Sequence, residues 1–306
     1  MNVLLDLMRE PWQLEFMRRA LVVGVVAGVV CGVLGIFVVL RGMAFVGDAV
    51  AHSVFPGVAV GYVLGLDLTA TGFAAGLAAA LLVAGISQQR RLREDSVIGV
   101  VFATAFALGI VLVSTQDNYT GDLSSFLFGQ ILGIGDADVV LVAVCGALVL
   151  GASLALQKEL VAVSLDRETA RATGLPVGAI DAVLYVLVTV AIVMSLQAVG
   201  NVLVLALLVT PAATARLCTD RLGPMMAVAA TLGAAGPVVG LSLSYRYDLA
   251  AGGLIVLVLS AVFVAVWVAA PRHGLVASWR ARRRTAASIA PAGAAGPPAP
   301  TRGGTW

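Results

Sequence analysis

Residues 20–40 read ALVVGVVAGVVCGVLGIFVVL, an apolar run without a single charged side chain. About 20 such residues in a helix cross the hydrocarbon core of a bilayer. The run is longer than the roughly 7–15 apolar residues of a secretion signal, and no clear cleavage site follows it. It therefore reads as a membrane span. Eight further segments of the same character follow, at approximately 43–66, 68–87, 96–115, 136–156, 180–198, 200–217, 224–244 and 252–270.

Composition agrees. Hydrophobic residues make up 60% of the 306-residue chain and charged residues 12%, against roughly 25% charged in a soluble domain. A soluble core cannot absorb that much apolar surface, whereas a bilayer can. The net charge of +2 is too small to imply a nucleic-acid partner, and the basic residues sit at the ends of apolar runs. Cys31, Cys145 and Cys218 have no metal-ligand spacing, and Cys31 and Cys145, inside apolar runs, read as small packing residues. The fold class is an all-α, polytopic transmembrane bundle of about eight or nine spans, some broken or re-entrant.

Loop charge sets the orientation. The stretches QQRRLRED (88–95) and RLCTDR (216–221), and the tail after Pro271, carry the arginine excess. The positive-inside rule makes them cytoplasmic. The 158–180 segment then falls inside as well, and 116–135 and 245–253 outside. Counting back puts the N-terminus outside, in conflict with Arg18 and Arg19 before the first span. Either residues 1–19 form an interfacial helix, or one span near the N-terminus is miscounted. Residues 20–270 make the membrane domain. Residues 271–306 form a basic, Pro/Ala-rich tail, expected to be disordered and cytoplasmic.

The second and seventh spans hold Pro56 and Pro211. Broken helices of that kind are tolerated only where protein or a water-filled cavity satisfies the freed backbone groups. Gly24, Gly28 and Gly32 recur every fourth residue, as do Gly57, Gly61 and Gly65, with Gly72 and Gly76 following. Small residues at this spacing let helices approach closely.

The sharpest chemical feature is GDAVAHSVFPG (47–57). Asp48 and His52 are four residues apart, so a helix places them on one face, about a turn from each other. A carboxylate with an imidazole suits Mn²⁺, Zn²⁺ or Fe²⁺, and an ionisable residue within a span is a functional-site hypothesis by default. Asp48 is the one acidic residue expected deep in a span. The plainer reading is that the pair hydrogen-bonds internally or closes the end of a broken helix. Two ligands are too few for a selective site, and a second copy of the chain would supply two more.

The second feature is KELVAVSLDRETARATGLP (158–176). Asp166 is an expected N-cap, Arg167–Thr173 a short helix and Gly174 its C-cap, with Pro176 preventing continuation. Such a helix between two spans is shaped to dock into another protein, though a solvated connector is the simpler alternative. Thr210-Pro211 is expected to mark a kink lining the path or a helix contact. Asp136 and Asp138 read as helix-start carboxylates facing water, Gln197 and Asn201 as capping groups, and Phe126–Ile134 as a possible half-helix. The chain has no Walker A, GxSxG or HExxH pattern and no Cys/His cluster, so it is expected not to hydrolyse ATP and not to be an enzyme.

At these segments the sequence resembles the ABC-3 family of metal-ion permeases. The resemblance rests on VLRGM (39–43) with Gly47, Asp48, His52, Pro56 and Gly57, on EDSVIGVVF (94–102) and FLFG (126–129), and on Lys158-Glu159-Leu160 with Asp166, Ala170 and Gly174. ALLVTPAATA (206–215) completes it. Together these run in order from about residue 16 to 270. Gly42 departs from the family pattern, which usually has a second basic or polar residue there.

The resemblance implies a BtuC-like importer permease, working as a homodimer with a cytoplasmic ABC ATPase on each copy. It implies an extracytoplasmic metal-binding protein that delivers the ion, and no permanently bound cofactor, the transported divalent ion passing transiently. It also implies that Asp48 and His52 contact the metal path or its outer gate, and that Asp166, Arg167, Ala170 and Gly174 belong to the coupling helix. The competing readings are a permease for chelated iron or a corrinoid, a stand-alone secondary transporter and a membrane anchor.

Overall fold

The structure, a computed structural model, describes residues 14–87, 94–114 and 133–270. The described residues form α1 Glu15–Arg41, α2 Val46–Leu64, α3 Leu68–Ile86, α4 Glu94–Ser114, α5 Asp136–Ala155 and α6 Gln157–Leu165. They continue as α7 Arg167–Ala172, α8 Val177–Val199, α9 Asn201–Cys218, α10 Leu222–Tyr247 and α11 Ala251–Ala269. No strand occurs among them. Nine of these helices are long and apolar enough to cross a membrane, all but the short α6 and α7. They coincide with the nine segments read from the sequence.

The N-terminal boundary falls differently. α1 begins at Glu15, so residues 15–19 are the first turn of the span itself, while residues 1–13, the tail from 271 and the FLFG stretch lie outside the described residues. Arg19 pairs with Glu15 at 2.7 Å and with Asp136, at the start of α5, at 2.8 Å. α1 and α5 therefore begin at the same end of the bundle, as the three intervening spans require. Among the described residues the spans from α1 to α5 are those read from the sequence, and the basic charge of Arg19 is met by two carboxylates on that face.

α1, α2 and α8 form the centre of the bundle, and α4, α5 and α11 lie at its edge with few of their residues buried. Leu108, Leu148 and Leu257 are more than half exposed. A helix that is apolar all round and uncovered on one side suits lipid as its solvent.

Glycine sets how closely the central helices approach. A Cβ on Gly28 would lie 2.0 Å from the Gly233 carbonyl oxygen, and one on Gly32 would lie 2.7 Å from that of Ala229. The first stripe is thus the crossing of α1 with α10. Gly57 and Gly61 meet Thr71 of α3, and Gly72 and Gly76 meet Val54 of α2. Gly65 does not pack; it ends α2 in a left-handed turn.

The proline-bearing helices are continuous. α2 runs through Pro56 and α9 through Pro211. A full break would expose several unsatisfied backbone groups to hydrocarbon, which costs more than the single hydrogen bond that proline removes. Thr214 donates to the Thr210 carbonyl at 2.7 Å, and Ala212 and Ala215 pack with Val33 and Ile36 of α1. Of the two expectations for this segment, the helix contact is the one observed.

Candidate metal path and coupling helix

Asp48 lies in the first turn of α2, where the positive end of the helix dipole favours a carboxylate. One turn later His52 brings Nε2 to 3.4 Å from Asp48 Oδ1, with the His52 side chain 20% and that of Asp48 31% exposed. The pair is therefore formed, but Asp48 is less deeply enclosed than the sequence suggested. The helix is seated by Gly47, whose missing side chain leaves room for Leu205 and Leu208 of α9 and Ile192 of α8. α4 supplies an aromatic wall: the Phe102 and Phe106 rings stand edge-on to the imidazole at 5.0 and 5.4 Å.

A polar group from elsewhere completes the surroundings. The Asn201 Nδ2 amide lies 3.1 Å from His52 Nε2, across 149 residues of chain. Expected to be a capping group, Asn201 makes no side-chain cap; the N-cap of α9 is Gly200, with φ of 83°. That left-handed torsion, accessible to glycine, lets α9 begin one residue after α8 ends and delivers Asn201 to the site. Among the described residues no group of three His, Cys, Asp or Glu side chains is placed to hold a metal ion. One chain thus offers a carboxylate, an imidazole and an amide, open on one side.

At the other end of the chain's machinery, Asp166 caps α7. Its carboxylate accepts from the Glu168 and Thr169 backbone N–H groups at 2.9 and 3.2 Å and from the Thr169 hydroxyl at 2.5 Å. Gly174 follows with φ of 85°, and Leu175 N–H returns to the Ala170 carbonyl at 3.1 Å. Ala170 is the buried anchor, packed with Val163 and Val177. The residues from Lys158 to Leu165, read as loop, are helical as α6, because Leu160 and Val163 find buried places.

The Thr169 hydroxyl, then the Thr169 and Glu168 N–H groups, hold the Asp166 carboxyl below its ordinary value. A depressed carboxylate stabilises the fold above its unfolded value and loses that contribution as pH falls through the folded one. The cap is therefore present at neutral pH and released in acid. Replacing Asp166 with Ala is expected to lower recovery of a partner bound through α7 several-fold at neutral pH, and the gap to wild type should close as the pH is taken below the carboxylate range. Co-purification across a pH series checks this. A gap that persists unchanged in acid would remove the cap as its cause.

The sequence reading missed the group that ties these regions together. Asp181, in α8, is fully buried and accepts Arg41 Nη1 at 2.6 Å; it also pairs with Arg167, the first residue of α7. Arg41 Nε donates to Ser164 at 2.9 Å. Asp181, not Asp48, is the enclosed carboxylate. The signal was an acid in the apolar stretch VGAIDAVLYV (177–186), obscured by drawing the span from residue 180. Asp48–His52 and α7 are not in contact, but Arg41 connects them: it ends α1 just before the Gly42–Phe45 turn into α2. Gly42, the departure from the family pattern, ends α1 with φ of 73°.

A bundle of nine apolar spans, a half-open polar site on one of them and a capped helix between two others define a multi-pass membrane transport subunit. The match to the ABC 3 transport family covers residues 13–270, and the chain belongs to that family. It is 40% identical to the manganese transport system membrane protein MntC of Listeria monocytogenes over 87% of this chain and 95% of that one. It is 38% identical to the chelated iron transport system membrane protein YfeC of Yersinia pestis, over 90% and 93%. The solved structure of PsaBC from Streptococcus pneumoniae in complex with Fab superposes with a TM-score of 0.76 at 36% identity, covering 88% of this chain and 97% of that chain. The protein is a membrane permease subunit of an ABC importer, multi-pass in the cell membrane.

Proposed function

We propose that the cargo is a divalent transition-metal ion, Mn²⁺, Zn²⁺ or Fe²⁺, and that Asp48 and His52 are its ligands on this chain. The observation that carries the reading is their convergence, Nε2 to Oδ1 at 3.4 Å, on a face that stays partly open. Oxygen and imidazole donors suit these ions, with geometry and availability deciding among them. An incomplete shell binds weakly enough to release. A second copy of the chain would double the donors around a two-fold axis. The names of the manganese and iron relatives support the same class of cargo.

In this reading the chain is not an enzyme. A separate ABC ATPase docks on the cytoplasmic side, where α7 and the 72%-exposed Leu165 present a surface, and an extracytoplasmic protein delivers the ion. ATPase closure pushes α7. Arg167, Asp181 and Arg41 carry the displacement to the base of α2, so the bundle opens to one side and then the other. Asp48→Ala and His52→Ala are each expected to reduce uptake to background while membrane insertion and ATPase pairing stay normal. Normal metal accumulation in both variants would sink the assignment. A chelate is the second reading, already open from the sequence and in keeping with the name of the Yersinia relative. The close aromatic wall at His52 favours a bare ion, and uptake of free against chelated iron separates the two.

A further inference from the structure

His52 Nε2 is where the polar groups of the site converge, with Asp48 Oδ1 at 3.4 Å and the Asn201 amide at 3.1 Å. Bonds from a divalent ion to oxygen or nitrogen run about 2.0–2.2 Å, so neighbouring donors in an octahedral or tetrahedral shell sit roughly 3.0–3.5 Å apart. Both distances from Nε2 fall in that range. Asn201 is 8% exposed, and its Oδ1 is a buried polar atom with no hydrogen-bond partner. Buried polar groups are nearly always satisfied, and an exception calls for an explanation. Helix capping does not supply one, because the α9 N-cap is Gly200.

We infer that Asn201 is a third cargo ligand of this chain, acting through Oδ1; the inference rests on the reading that Asp48 and His52 take the ion. In the structure Nδ2 faces the imidazole nitrogen and occupies the position from which an ion would reach it. A half-turn of the amide exchanges its nitrogen and oxygen, which are alike in size but opposite in hydrogen-bonding sense. The ion takes the lone pair of Nε2, the amide turns over, and the unpartnered oxygen becomes a donor. The shell then holds two oxygens and one nitrogen from this chain. Carboxylate and carbonyl oxygens suit Mn²⁺, whereas a site richer in imidazole suits Zn²⁺. Asn201 thereby biases the path toward Mn²⁺.

The test uses the complete importer, permease with its ATPase, in proteoliposomes given radiolabelled Mn²⁺ or Zn²⁺. Asn201→Leu, close to isosteric but without donors, should cut Mn²⁺ uptake about tenfold and Zn²⁺ uptake much less. Asn201→Asp, which keeps an oxygen in place, should retain the Mn²⁺ preference. A fall in both ions by the same factor would mean that Asn201 only orients His52, and no change in either would mean that it does nothing; both results overturn the proposal. If Asn201→Leu does not assemble with the ATPase, the Mn²⁺-to-Zn²⁺ ratio in Asn201→Ser decides on the same criterion. Asp48→Ala runs alongside. Normal transport by that variant removes the underlying site, whereas an inactive Asp48→Ala beside an unchanged ratio in the Asn201 variants removes only the Asn201 assignment.

Discussion

Asp181→Ala is expected to cost about 3–5 kcal/mol, the usual penalty for removing one partner of a buried ion pair. Against a total stability of roughly 5–15 kcal/mol, that is enough to deplete the assembled protein. The reason lies in what remains. Arg41 has 5% of its side chain exposed, and its Nη2 already has no hydrogen-bond partner. Without Asp181 its charge has no counter-ion in a nearly closed space. Arg167 is 34% exposed on its side chain and can turn to solvent, so Arg167→Ala should be mild for stability and felt mainly in coupling to the ATPase. The double variant Arg41→Met with Asp181→Ala removes both charges and should recover much of the loss. Thermal melts of detergent-solubilised protein, combined as a double-mutant cycle, check the ordering. A double variant as unstable as Asp181→Ala alone would show that this pair is not what the region depends on.

The second large effect is expected at the α1–α10 crossing. Gly28→Leu forces a side chain into a place where even a Cβ would stand 2.0 Å from the Gly233 carbonyl oxygen; the reciprocal distance from Gly233 to the Gly28 oxygen is 2.1 Å. Backbone faces backbone, and no flexible side chain is available to yield. Overpacking a core typically costs about 1–3 kcal/mol; Gly28→Ala belongs in that range, and leucine, which must part the helices along their length, exceeds it. The control is Gly99→Ala or Gly151→Ala. A Cβ at either position meets nothing within 4 Å, so the helix propensity of alanine makes these substitutions neutral or slightly stabilising. Comparable destabilisation at Gly28 and Gly151 would show that helix approach is not what these glycines provide.

Much of the candidate site was legible beforehand because it depends on near neighbours. Asp48 and His52 meet because a helix sets residues four apart on one face. Asp166 caps α7, and Gly174 ends it, through hydrogen bonds within a few residues. The glycine stripes announced close approach, though not which helix each would approach, and Gly65 shared their spacing while serving as a turn. Asn201 was read as a capping group because a polar residue near a helix start ordinarily serves its own backbone, and Asp181 was passed over because the span was drawn from residue 180; each serves a side chain far away in the sequence.

The sequence by itself determined that this is a helical membrane protein, where its spans run, and which short segments carry the Asp–His pair and the short capped helix. Those properties follow from hydrophobic length, helical period and local hydrogen bonding, all of which act along the chain. Only the tertiary structure decided that Arg41 meets Asp181 across 140 residues and that Asn201 meets His52 across 149. Such partners are chosen by how closely the glycine-lined helices pack and by the cost of leaving a charge or an amide unpaired where water does not reach.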